Sequence, residues 1–224
     1  MTEESNMIRK SLVMGLVGVI ASGMASLSMA EDKPVGITGD LMSIEVMHNG
    51  SKVTVERNAD NQNTVNPSFA LTSRPCPPFC IQPIKLAPGV ETIGEVEMIG
   101  YMEKASAGDD SILIIDSRTP DWAARGMIPG AINLPWTALS TRKGADPISI
   151  GEIFTDTFGA EEFDGLWKFG NAKTLVMYCN GMWCGQSPTN IKALLDFGYP
   201  AHKIKGYRGG MQNWENLGLK TVKP

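Results

Sequence analysis

Cys179 closes the apolar run Thr174-Leu175-Val176-Met177-Tyr178 and opens the loop Asn180-Gly181-Met182-Trp183-Cys184-Gly185-Gln186, ahead of Ser187-Pro188. A thiol at the carboxyl end of a buried strand, facing a helix N-terminus, is set for nucleophilic chemistry. Backbone N–H groups and the helix dipole favour an anion there, and the thiolate is the working form of cysteine. Gly181 and Gly185 let backbone approach the sulfur with no side chain in the way. Cys184 places a second thiol in the same loop, which permits disulfide exchange with the first. No arginine lies between Cys179 and Ser187, so cysteine-based phosphoryl transfer lacks the bidentate cation it needs.

The elements that hold this loop follow from periodicity. Ser187 suits a helix N-cap and Pro188 the first helical position, with Ile191, Leu194 and Leu195 forming a stripe that Gly198 ends. The run 174–178, and Ile112-Leu113-Ile114-Ile115-Asp116 before it, read as fully buried parallel strands. Val90 to Met102 has helical spacing through Ile93, Val96 and Ile99. Residues 121–124 suggest a short helix, 128–135 a turn with an edge strand, and 148–158 further helix. Lys203 to Tyr207 reads as a strand and Arg208-Gly209-Gly210 as a turn. Met211, Trp214 and Leu217 mark one face of a last helix closed by Gly218. Trp122, Trp136 and Trp214 are expected in the core. Alternation of strand and helix predicts an α/β fold with an open parallel sheet.

Upstream, Met42 to Arg57 alternates about Asn49-Gly50 and predicts a β-hairpin too small for a core of its own, so it should lie against the larger part. The expected division is residues 1–30 as a signal peptide, 31–88 as a hairpin and Cys/Pro-rich extension, and 89–224 as the main domain. Arg9-Lys10, the apolar stretch from Leu12 and the small residues Ser28-Met29-Ala30 carry the signal reading, with Met7 as a conventional start. Export to a periplasm is expected, with no stable membrane insertion after cleavage; an uncleaved membrane anchor is the alternative. An oxidising compartment allows a local Cys76–Cys80 bridge, or one of the pair bonded to Cys184, in preference to a metal site, for which His48 and His202 add too few ligands. No metal and no cofactor are expected. The net charge of −4 and the absence of a basic patch argue against nucleic acid as a partner.

Four motifs in order resemble the rhodanese-like domains: Ile115-Asp116-Ser117-Arg118-Thr119-Pro120, residues 126–135 (Gly-Met-Ile-Pro-Gly-Ala-Ile-Asn-Leu-Pro), Tyr178-Cys179, and Tyr207-Arg208-Gly209-Gly210-Met211 followed by Trp214. The resemblance runs from about Val90 to Val222. It implies a sulfurtransferase in which Cys179 takes sulfane sulfur from thiosulfate or another donor and holds it as a persulfide. The partner is then a small sulfur-containing anion or a protein thiol. On this resemblance Asn180, Gly181, Met182, Trp183, Cys184 and Gly185 form the substrate loop, Arg118 or Arg208 reaches its mouth to steer an anion, and Asp116 orders neighbouring loops. The loop to the helix is longer than the family's usual one, and Cys184-Gly185 stands where a cation is common. Met127 stands where the family often has histidine. Cys184 then has three readings: it attacks the persulfide, it fills space, or it is tied to Cys76 or Cys80. The alternative function is a binding or thiol-disulfide redox module with Cys179 paired to Cys184. Trp183 is either a rim residue or a filler under the loop.

Overall fold

The computed structural model describes residues 33–224; the signal-peptide reading of residues 1–30 lies outside them. The sequence elements fold as β1 Ser43–His48, β2 Ser51–Glu56, β3 Glu91–Ile93, α1 Glu95–Ser106, β4 Ile112–Asp116, α2 Pro120–Ala123, β5 Ile132–Asn133, α3 Pro147–Glu152, β6 Glu161–Phe163, β7 Leu166–Lys168, β8 Thr174–Tyr178, α4 Gln186–Asp196, β9 Ile204–Tyr207 and α5 Gly210–Asn216. Five strands form a parallel sheet in the order β3-β9-β8-β4-β5. This is the α/β architecture that the resemblance implies.

The strand side chains alternate between two cores, as a sheet covered on both faces requires. Ile114, Val176 and Tyr178 enter a core shared with α1, α5 and the hairpin residues Ile44, Val46 and Val55. Ile115, Leu175 and Met177 enter the opposite core, with Phe154, Ile191 and Leu194. The β1–β2 hairpin turns on Asn49 and Gly50, both at positive φ (48° and 78°) as a type I′ turn demands. It is part of the first core, tied to α1 by Met47 N–H donating to Ser106 Oγ at 3.1 Å.

Three local expectations are corrected. Val90 to Met102 is not one helix: Glu91-Thr92-Ile93 pairs with β9 as an edge strand, and α1 starts only after Gly94, whose backbone N–H donates to Glu97 Oε2 at 3.0 Å. The β6–β7 hairpin around Asp164-Gly165 escaped the reading, although its Asp-Gly turn is a hairpin signal. Of the three tryptophans, only Trp214 is fully buried; Trp122 and Trp136 are half-buried beneath Arg125 and Lys143, with cation-to-ring distances of 4.3 Å and 5.1 Å.

Candidate active site

Strand β8 delivers Cys179 to the carboxyl edge of the sheet, between its neighbours β4 and β9. The thiol is 2% exposed. The loop after it is anchored from below by the start of α5: Met211 N–H donates to the Cys179 carbonyl and Gln212 N–H to the Asn180 carbonyl, both at 2.9 Å. That approach leaves no room for a side chain at Gly210. Its φ is +56°, and a Cβ there would lie 2.4 Å from the Cys179 oxygen and 2.7 Å from the Gly181 nitrogen. The glycine turn of the fourth motif is thus required by close contact with the cysteine loop.

Helix α4 begins two residues earlier than expected, at Gln186. Gly185 is the N-cap, and no side chain caps the helix. Ser187 is instead a buried first-turn residue whose hydroxyl lies 3.3 Å from the Cys179 sulfur and donates to it. Pro188 is tolerated because first-turn N–H groups have no intrahelical partner. When protonated, the Cys179 thiol donates to the Cys184 carbonyl at 3.4 Å.

Burial alone would push the Cys179 thiol up. The Cys184 thiol, the Ser187 hydroxyl and the backbone N–H groups of Ser187 and Gly181 outweigh it and bring the group down to about 7. Cys184 moves the opposite way, since donating to Cys179 and its own burial both hold its proton on. Of the two thiols, Cys179 is therefore the one that ionises more readily. Both thiols are unbonded, so the readings that tie Cys184 to Cys76 or Cys80, or lock it to Cys179, do not describe this structure. The disulfide is Cys76–Cys80.

The arginines separate. Arg118 does not reach the mouth: its side chain is fully buried, with Nε 2.8 Å and Nη2 2.6 Å from Asp116 and Nη2 2.6 Å from the Gly126 carbonyl. Asp116 lies two residues away, and that fork-to-fork pair spends the guanidinium inside the protein. Tyr178 Oη donates to Asp116 at 3.1 Å and accepts from Ile128 N–H at 3.0 Å. Arg118 Nη1 touches the loop from beneath, 3.5 Å from Asn180 Oδ1. Arg208, by contrast, stands in the wall of the thiol cavity. Its Nη2 donates to the Gln82 carbonyl at 3.1 Å, while its Nε–H is buried with no partner in the protein.

A roof covers the loop from residues that the sequence did not single out for it. Phe79, inside the Cys76–Cys80 ring, packs edge-on to Trp183 at 5.5 Å, and the Arg74 guanidinium lies 4.0 Å over the Trp183 ring. Gln82 N–H donates to the Met182 carbonyl at 2.8 Å, and Trp183 Nε1 to Gln212 Oε1 at 2.6 Å. Trp183 is thus the filler and not an open rim; Met182 is the exposed loop side chain, at 37%. No periodic signal marks Arg74, Phe79, Gln82 or Gln212. Ser187 was visible, though as a cap.

Beside Cys179 the roof leaves a cavity of about 20 Å³, walled by Cys184, Gly181, Ser187, Arg208 and Gln82 among others. That is room for one water-sized group. An open groove of about 340 Å³ runs along the other side of Cys184, past Trp136 and Gln186. Among the described residues, no three His, Cys, Asp or Glu side chains gather as a metal site.

Comparison with known proteins gives the same frame. A curated sulfurtransferase of Allochromatium vinosum is 26% identical over 132 residues, covering 59% of this chain and 97% of its own. Among solved structures, a human single-domain sulfurtransferase is 22% identical, with 56% of this chain and 95% of that chain covered and a TM-score of 0.37. A Rhodopseudomonas palustris protein described as of unknown function, possible tyrosine phosphatase, is 22% identical, with 61% and 88% covered and a TM-score of 0.39. The Rhodanese-like domain model matches residues 101–217, more than half of the chain, and spans all four motifs, Tyr178-Cys179 among them. The chain belongs to the rhodanese-like domain family.

Proposed function

We propose that the protein is an exported sulfurtransferase that carries sulfane sulfur as a persulfide on Cys179 and passes it to a thiol acceptor. The carrying observation is a thiol brought down to about 7 beside a cavity of about 20 Å³. The cavity suits a single sulfur atom next to the nucleophile, and the unpaired Nε–H of Arg208 in its wall offers a donor to a terminal sulfur anion. The family and the sulfurtransferase relative support sulfur transfer as the class of chemistry.

The step balances simply. The Cys179 thiolate attacks the outer sulfur of a sulfane-sulfur donor such as thiosulfate, and the donor leaves with the electron pair of the broken bond. An acceptor thiolate then attacks the outer sulfur on Cys179 and returns the cysteine as thiolate. Cavity size requires the donor to present its sulfur end-on, with its bulk held outside under the exposed Met182. Export is supported by the Cys76–Cys80 disulfide, because such bonds persist in oxidising compartments. No helix among the described residues is long and apolar enough to cross a membrane.

Intact-mass analysis of reduced protein treated with thiosulfate or inorganic polysulfide tests the reading. Wild type should gain one sulfur atom, mapped to Cys179, and Cys179→Ser should gain none. Sulfur uptake by the variant equal to that of wild type would overturn the assignment.

A further inference from the structure

We propose that Cys184 attacks the inner sulfur of the Cys179 persulfide, so that the site also discharges its cargo as hydrosulfide without an external acceptor. The inference rests on the persulfide reading above and adds a second activity, thiol-dependent reduction of sulfane sulfur.

The geometry places both sulfurs in one small space. Cys179 and Cys184 are 2% and 5% exposed, pack in one cluster with Trp183, and wall the same cavity. Loop closure is already made: Cys184 N–H donates to the Gly181 carbonyl at 2.9 Å, a tight turn that folds residue 184 back over residue 179. The Cys184 carbonyl lies 3.4 Å from the Cys179 sulfur as a result. A thiol that served only as packing would need no second access. Cys184 has one, because it also walls the open groove of about 340 Å³ beside Gln186 and Trp136.

Before loading, Cys184 holds its proton, as its raised pKa reflects, and its thiol donates to Gln186 Oε1 at 3.6 Å. Loading moves the negative charge one atom outward, onto the terminal sulfur. The Cys184 sulfur then bonds to the Cys179 sulfur, and the bond from Cys179 to the terminal sulfur breaks. The terminal sulfur leaves with that electron pair and with the Cys184 proton, as hydrosulfide. The sulfane sulfur is reduced, the two cysteines are oxidised to a disulfide, and charge is unchanged across the step. A small dithiol reaching Cys184 from the groove restores both thiols for the next cycle.

The test uses the full chain, reduced, freed of thiol, loaded with inorganic polysulfide and desalted at once. Intact mass, sulfide release and peptide mapping are then followed with time for wild type, Cys184→Ser and Cys184→Ala. Wild type should lose its persulfide, release one hydrosulfide per chain and yield a Cys179–Cys184 linked peptide. Loss of the Cys184 donor raises the Cys179 pKa, so all three proteins are loaded at about pH 9, where the thiolate forms without it. Both variants should then load on Cys179, which reports their folding, and keep the persulfide over the same interval. A wild-type persulfide as long-lived as that of the variants overturns the resolving role and leaves sulfur carriage standing. Failure of all three to load overturns sulfur carriage itself, and the inference with it.

Discussion

Below Cys179, Asp116, Arg118 and Tyr178 are fully buried and joined by hydrogen bonds as short as 2.6 Å. Above it, residues 74–82 cross the loop as irregular chain, with Cys76 and Pro77 exposed, and hold on through Phe79, Arg74 and the Gln82 backbone. The floor is made of residues adjacent in sequence or paired in register, since Asp116 faces Tyr178 across β4 and β8. The roof is made of residues about a hundred positions from the loop they touch. A floor of this kind fixes where the sulfur sits, while a roof of this kind sets what can reach it. Disturbing the first should therefore cost stability, and disturbing the second should cost selectivity.

Arg118→Met is the hardest strike at the floor. It leaves Asp116 buried without its partner, and should lower unfolding free energy by about 3–5 kcal/mol. Urea denaturation reads this directly, and a loss under about 1 kcal/mol would erase the contrast between floor and roof. Replacing Cys76 and Cys80 together by Ser strikes the roof. A ring this short restrains little of the unfolded chain, so the cost should be about 2 kcal/mol. The larger sign should be faster reaction of Cys179 with a small alkylating reagent under native conditions; an unchanged rate would show that the roof does not guard the thiol.

The smallest expected effect sharpens the electrostatics. Sulfur loading should rise with pH through a midpoint near 7, because Cys179 is brought down to about 7 and only its thiolate attacks. Ser187→Ala removes a donor that favours the thiolate. The midpoint should therefore move up by roughly one pH unit, the worth of a hydrogen bond to a charged group. A midpoint that stays put would assign the low value to the backbone N–H groups and Cys184 alone.

The same division explains what sequence could show. Strands β4 and β8, helix α5 and the thiol at the strand end are periodic or motif-bearing, and reading them needs only local pattern. Arg118 was visible, but its direction was not: whether an arginine two residues from an aspartate turns outward or folds back depends on burial, which spacing does not encode. Ser187 carried a capping signal that the fold spends on sulfur. The strap of residues 74–82 has composition but no period, and its partners lie far along the chain, so nothing local announces that it closes the site. Glu91 to Ile93 shows the converse case, where helical spacing lost to a vacant sheet edge beside β9.

A last consequence lies in the planarity of the two peptides that α5 holds. The N–H of a trans peptide points opposite its carbonyl. By engaging the Cys179 and Asn180 carbonyls, Met211 and Gln212 turn the amides of Asn180 and Gly181 the other way, and the Gly181 amide is among the donors that acidify the thiol. The reactivity of the cysteine is thus written partly in a glycine turn some thirty residues downstream that never touches the sulfur. Grafting residues 179–186 onto a relative would transfer the loop's chemistry only if Gly210-Met211-Gln212 travelled with it.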